Sequence, residues 1–421
     1  MPPMDPYSFS LLFAAFLIAT LGTKLWLASR HIQHIQRHRD AVPEQFAAKI
    51  PLAAHQKAAD YTVAKTKLKI TLLVVNAVVL VGFTLMGGLQ WLSEVLSPTF
   101  GVGIAYQLAL IAAVSIISSL IDLPIDYYKQ FTLEERFGFN KMTPGLFFSD
   151  LIKHSVVGAA IGLPLLWVTL TLMEKSGDLW WLYAWLLWCG FQLFMIAFYQ
   201  SLIAPLFNKF TPLEDESLRT RIEGLMQRVG FASKGLFVMD GSRRSAHGNA
   251  YFSGFGAAKR IVFFDTLLSR LAPNEIEAVL AHELGHFKLN HVVQRLLMMF
   301  ALSLGFLALL GWLKGQVWFY TGLGVTPLMN GSNDAMALIL FMLALPSFTF
   351  LFSPLMSITS RKNEFEADAF AAKHSNSSDL ISALVKLYED NASTLTPDPL
   401  HSAFYDSHPP ASVRVQRLLS T

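Results

Sequence analysis

Apolar runs of membrane-spanning length alternate with polar stretches along this chain. Seven runs carry few or no charges: Phe9–Ala28 (Lys24 near one end), Ile70–Trp91, Phe100–Ile121, Ser155–Met173, Leu179–Phe207, Leu296–Leu313 and Ala335–Ser360. A helix of about 20 residues crosses the hydrocarbon core of a bilayer, so the pattern predicts seven transmembrane helices. The fifth and seventh runs exceed that length and are expected to tilt or project beyond the membrane. Pro164, Pro205, Pro346 and Pro354 lie in or beside spans and are candidate kinks. The first run lacks a basic leader and a small-residue cleavage site, so it reads as a span rather than a signal peptide.

Two long polar regions remain, Asn208–Arg295 and Arg361–Thr421. In the first, "GLFVMD", "AHGNAYF" and "KRIVFFD" read as short strands bounded by glycine and charge. A helix follows from Pro273, with Glu275 and Glu277 at its positive end and Ile276, Val279, Leu280 and Leu284 on one apolar side. The expected fold class is therefore mainly α: a polytopic membrane protein with seven transmembrane helices and a small α+β domain. Its parts would be residues 1–207 (spans one to five), 208–295 (the polar domain), 296–360 (a hairpin of spans six and seven) and 361–421 (a C-terminal polar segment).

Composition supports a membrane setting: of 421 residues, 53% are hydrophobic and 15% charged, whereas soluble domains carry about 25% charged residues. The net charge of +3 and the absence of a basic run with interleaved aromatics argue against a nucleic-acid partner. The single cysteine, Cys189, precludes a disulfide framework and a cysteine-based zinc finger.

Lysine and arginine fall on one side of the predicted spans. Arg30, Arg37, Arg39, Lys49, Lys57, Lys65, Lys67 and Lys69 fill the first long loop, and Lys129, Arg136, Lys141 and Lys153 lie in the loop between the third and fourth spans. The opposite connections hold only Lys175 and Lys314. This bias puts the N-terminus outside and both long polar regions in the cytoplasm.

"AHELGHFKLNH" then becomes informative. On a helix His282 and His286 project from one face, where two imidazoles can bind one zinc ion, with Glu283 between them as general base. A hydrolytic zinc needs a third protein ligand and an open position. The segment "SRKNEFEADAFAAKH" returns from the seventh span on the side where the sixth began. This makes Glu364 the candidate third ligand and Asp368 the candidate partner for the far ring nitrogen of a ligand histidine. Zinc in such a site lowers the pKa of water toward about 7 and polarises a carbonyl. Glu283 would take the proton and return it to the leaving amine, which is peptide-bond hydrolysis without an acyl-enzyme.

With "EERFGFNKMTP", "HGNAYFSGF", "KRIVFFDTLL", "AHELGHFKLNH", "NEFEADAFA" and a terminal "SHPP" followed by arginine, the chain resembles the type I CAAX prenyl proteases. These are integral-membrane zinc metallopeptidases that process isoprenylated C-terminal peptides. The resemblance implies seven tilted helices enclosing a large intramembrane chamber, closed by a zincin-like domain of the gluzincin type. It implies one zinc per chain on His282, His286 and Glu364, with Glu283 catalytic and His408 and Arg414 beside the scissile carbonyl. An extended substrate could add to an exposed strand edge, for which Asn249 and Ala250 are the candidate contacts.

The expected partners are a peptide or protein substrate, prenylated if the resemblance extends to it, and the lipid bilayer. Compact loops on the outer side favour a bacterial plasma membrane, with an endoplasmic reticulum membrane as the alternative. A heat-shock-type quality-control membrane protease shares the metal motifs, but such chains are shorter with fewer spans. A seven-span receptor or transporter with structural zinc would need a fourth closed ligand, usually cysteine. "HIQHIQRHR" places His31, His34 and His38 on one helix face, read as a cationic surface for lipid headgroups. His291 is expected to point away from the metal and lie at the membrane interface. Spacing gives Asn290 no role.

Overall fold

The computed structural model describes residues 4–254 and 259–420. Residues 1–3, 255–258 and 421 lie outside that description, Phe255 of "HGNAYFSGF" among them. Seven helices are long and apolar enough to cross a membrane: Pro6–Arg37, Leu52–Phe83, Ile104–Glu134, Pro144–Lys175, Gly177–Leu206, His291–Leu313 and Asp334–His374. The protein is an integral, multi-pass membrane protein. Six of the seven run to 30 residues or more, beyond the thickness of a bilayer, and continue past its edge as helical extensions.

The spans depart from regular helix at three places, of which the first was not expected from the sequence and the other two lie at or beside the prolines expected to kink them. The apolar run Ile70–Trp91 is not one helix. The chain leaves the span at Phe83, turns through Gly87 (φ 78°) and begins a separate helix, Gly88–Phe100. Leu89 and Leu92 are buried there, so the apolarity of this stretch serves packing at the end of the bundle. The fifth span loses α-helical regularity after Phe198, passing through a π-helical turn at Tyr199–Ile203 and a 3-10 turn, Ala204–Leu206, that contains Pro205. The seventh tightens at Phe350–Phe352, between Pro346 and Pro354, and then continues as Ser353–His374. One nearly continuous rod thus runs from the membrane to Glu364.

Two large apolar cores hold the molecule, with a smaller third cluster around Tyr61, Leu133, Phe137 and Phe139. One, at the far end of the bundle, packs Phe13, Leu89, Leu110, Leu170, Leu310 and Leu340. The other belongs to the polar domain and includes Ile222, Leu225, Ile261, Phe263 and Leu284. Between them the second to sixth spans bury only 11% of their most apolar windows. The helices therefore stand apart around a chamber. Lys24, Asn76 and Asp122 line a cavity of about 360 Å³ within it, and charged groups at that depth mark an internal, water-accessible surface.

The polar domain carries a four-stranded sheet in the order β1 (Phe210–Pro212), β2 (Leu236–Met239), β4 (Arg260–Phe264), β3 (Ala250–Ser253). β2 and β4 run parallel, while β1 and β3 add antiparallel at the two edges. β1 has three residues and ends in proline, which left no strand signal in the sequence. The membrane half is tied to this sheet by the loop after the third span. Asn140 bridges Ser245, and the Tyr61 hydroxyl donates to the carboxylate of buried Glu134.

Candidate metal centre

The helix Pro273–Lys288 is built to start firmly. Pro273 occupies its first turn, and the Glu275 carboxylate accepts the Ala272 N–H at 2.7 Å. Ser382 and Lys386 hold the same carboxylate from the neighbouring helix Ser377–Asp390. Ile276, Leu280 and Leu284 fasten the inner face into the domain core. Another face meets the returning rod at Gly285. A Cβ at this position would stand 3.1 Å from Ala367 Cα and 3.2 Å from Phe370 Cβ. Glycine against alanine lets the two backbones approach, and this brings residues distant in sequence to one point.

At that point Nε2 of His286 lies 3.3 Å from Nε2 of His282. The Glu364 carboxylate oxygens lie 3.5 Å from His282 Nε2 and 3.3 Å from His286 Nε2. Four-coordinate zinc, with bonds of roughly 2.0–2.1 Å, needs ligand atoms about 3.3–3.4 Å apart. The two imidazole nitrogens already stand at that spacing, each with one oxygen of the Glu364 carboxylate 3.3–3.5 Å away, and one ligating atom from each of the three residues falls within 4.8 Å of the others. Glu364 is 2% exposed, and its Oε2 has no aligned hydrogen bond, although His408 Nδ1 is 2.7 Å away. A buried carboxylate oxygen facing two imidazoles without a hydrogen-bonded partner fits a cation. Two histidines and a carboxylate are also a donor set that zinc accepts with one position open. These residues could hold a metal ion.

A second ring of groups orients the first. His282 Nδ1 meets Asp368 Oδ1 at 2.9 Å, and Arg414 grips Asp368 with two bonds, Nε to Oδ2 at 2.9 Å and Nη2 to Oδ1 at 2.6 Å. Burial works against a charged His282, but Asp368 and Glu364 outweigh it and push its pKa up to about 9. Arg414 Nη1 also lies 3.6 Å from Glu364, which spreads its charge over both carboxylates.

His291 departs from the sequence expectation. It is 1% exposed, its Nδ1 lies 3.1 Å from Nδ1 of His286, and its Nε2 lies 3.0 Å from Glu366. The order that satisfies all three groups has His286 donating to His291 and His291 donating to Glu366. The cause is Asn290, which adopts a left-handed conformation (φ 60°) and breaks the helix between the two histidines. A continuous helix would have pointed His291 elsewhere. Asparagine tolerates this conformation better than most residues, which gives Asn290 a structural role that spacing did not reveal.

A cavity of about 940 Å³ opens beside the donors, with Glu283, His286, Glu364 and His408 on its wall. Met195, Ile196, Met298 and Met356 make another wall apolar. From the sheet edge, Tyr251, Phe252, Ser253 and Gly254 reach it, with the Tyr251 hydroxyl donating to buried Gln200 in the π-helical turn of the fifth span. Asn249 lines a different hollow, with Arg244 and His247. Its side chain accepts the Ala250 N–H at 2.8 Å, and its carbonyl accepts from Phe264 N–H on β4. By the alternation of an antiparallel pair, the main chain of Ala250 and of Phe252 then faces the free edge.

The "HIQHIQRHR" face does not meet lipid as expected. His31 is 4% exposed and stacks on His401 at 3.9 Å, with Asp398 N–H donating to its Nδ1. Arg30 pairs with Asp398 at 2.8 Å. The first span thus docks on the C-terminal helix Pro399–Tyr405, and only His38 of the three remains exposed.

Two family models match consecutive parts of this chain. One, described as the CAAX prenyl protease N-terminal region of five membrane helices, covers residues 31–209, and one described as peptidase family M48 covers residues 212–421. CAAX prenyl protease 1 of Saccharomyces cerevisiae is 35% identical, with 97% of this chain and 94% of that protein aligned. The CAAX prenyl protease 1 homologue of Arabidopsis thaliana is 37% identical over 83% of this chain and 82% of its own. That of Homo sapiens is 34% identical over 79% of each. The crystal structure of S. mikatae Ste24p matches with a TM-score of 0.91 at 33% identity, covering 97% of this chain and 99% of that one.

Proposed function

Since the chain belongs to the CAAX prenyl protease group of peptidase family M48 and is a membrane metalloprotease, we propose that it is a zinc endopeptidase acting near the C-terminus of isoprenylated peptides. The observation that carries the reading is the cluster of donor atoms from His282, His286 and Glu364, of which His286 and Glu364 line a cavity that also holds Glu283. The names of the relatives support the substrate class. The apolar wall of Met195, Ile196, Met298 and Met356 suits a hydrocarbon chain.

Zinc on His282, His286 and Glu364 would supply a Lewis acid for the scissile carbonyl and for water. Glu283, half-buried on the cavity wall, takes the proton of the attacking water and hands it to the leaving amine. Asp368 fixes the ring of His282, and Arg414 fixes Asp368 while balancing the charge of two buried carboxylates. His408 stands at the cavity mouth with a mostly exposed side chain and can donate to the carbonyl oxygen as charge develops there. The substrate backbone lies extended along the free edge of β3, where Ala250 and Phe252 offer main-chain groups. Asn249, in this reading, vacates the Ala250 N–H as the peptide pairs.

The metal side faces the cytoplasm on the lysine and arginine bias. The membrane is a bacterial plasma membrane, with the endoplasmic reticulum as the alternative.

The test is hydrolysis of a farnesylated peptide by the purified protein. Cleavage should stop on chelation and return with zinc. Glu283→Gln should lower kcat at least a thousandfold while zinc content stays at one per chain. Equal cleavage of the unprenylated peptide would favour the quality-control reading instead, and unaltered kcat in Glu283→Gln would sink the mechanism.

A further inference from the structure

A second recess adjoins the metal cavity, and its chemistry is opposite. It measures about 640 Å³ and shares Tyr405, Ser407 and His408 with the metal cavity, so the two meet at the candidate catalytic histidine. Lys65 and Lys69 enter it from the second span and Lys129 from the π-helical turn after the third. Asp406 is the one carboxylate among its described lining residues. Among the described residues no carboxylate lies within 4 Å of these lysines, although Glu134 acts on Lys65 and Asp406 on Lys69 from farther off; Lys69 Nζ rests 3.3 Å from the centroid of the Tyr405 ring, and Lys65 Nζ 4.6 Å from that of Tyr61. A second and independent observation points to a ligand. The Tyr405 hydroxyl, at the junction of the two cavities, is buried and has no hydrogen-bond partner. Buried hydroxyls are seldom left so, and with a pKa pushed up to about 12 by burial this one keeps its proton to donate.

We infer that this recess is the subsite for the free C-terminal carboxylate of the substrate, with Lys65, Lys69 and the Tyr405 hydroxyl as its recognition groups. The inference rests on the peptidase reading above. A peptide lying past Glu283 with its apolar portion against the methionine wall has its other end directed past His408, into the basic recess. The one anion that every peptide carries at that end is its terminal carboxylate. Cations on aromatic faces, with an orphan hydroxyl between the cavities, give it charge and a hydrogen bond together. The recess would thereby restrict a hydrolytic site to bonds near a chain end, which is how an endopeptidase of broad chemistry becomes a trimming enzyme.

The experiment uses the full-length protein in detergent and two fluorescent farnesylated peptides that differ only in a C-terminal acid or amide. Anisotropy reports binding and product analysis reports hydrolysis. Wild type should bind and process the acid at least tenfold better than the amide. Lys69→Met and Lys65→Met, checked for unchanged zinc content, should weaken the acid about tenfold each and leave the amide within twofold. Tyr405→Phe should weaken the acid alone by a smaller factor. An amide bound and cleaved as well as the acid by wild type overturns the inference while leaving the proposed protease intact. So does a ratio unchanged in both lysine variants. Acid bound preferentially but never cleaved leaves the recess assignment standing and sinks the proposed function.

Discussion

At the residue scale, the metal site divides into groups that spacing could reveal and groups that it could not. His282, Glu283 and His286 sit within one uninterrupted helix, so four-residue spacing translates directly into a shared face. Glu364 was legible through topology, because the hairpin returns it to the side it left. His291 and Glu366 were not, since the left-handed turn at Asn290 redirects His291 in a way no helical wheel represents. The inward pairing of the Asn249 main chain was likewise not legible, because which strand residues turn inward depends on register with β4. If His291 orients His286 as the distances indicate, His291→Ala should weaken zinc binding about 10–100-fold, read by competition with a chromogenic chelator. Binding within twofold of wild type would reduce His291 to packing.

At the scale of elements, the site depends on two helices meeting at Gly285. A Cβ would already stand 3.1 Å from Ala367 Cα there, and the branched chain of Gly285→Val must part the helices or bend one. That variant should lose zinc while its helical circular dichroism is retained, and full zinc content would show that the contact is slack. The start of the metal helix makes a pH-dependent contribution. Burial opposes ionisation of Glu275, but Lys386, Ser382 and the Ala272 N–H overcome it and hold the carboxyl below its ordinary 4.5. With the folded value below the unfolded one, its stabilisation is complete above the unfolded pKa and disappears as pH falls through the folded value. Glu275→Gln should cost about 1–3 kcal/mol at pH 7, seen as a lower thermal midpoint in detergent, and the gap to wild type should close in acid. A gap that stays constant all the way down the acid range would assign the effect to shape alone. Element identity was largely readable, since length and apolarity separate spans from strands. The division at Gly87 was not, because the apolar run continues through it to pack the end of the bundle.

For the whole molecule, the membrane hairpin has a chemical purpose. His286 precedes the sixth span by a few residues, and Glu364 follows the seventh on the same rod, so the lipid-embedded segment fixes how far apart the two sides of the site can drift. The chamber could not be read from span count, which sets neither tilt nor spacing. It becomes visible only as two large cores at opposite ends with sparsely buried helices between them. The most direct measurement is zinc content, by mass spectrometry, of purified wild type beside Glu364→Ala. The account predicts about one zinc per chain in wild type and almost none in the variant, with the helices still folded. Full zinc retention in Glu364→Ala would contradict it.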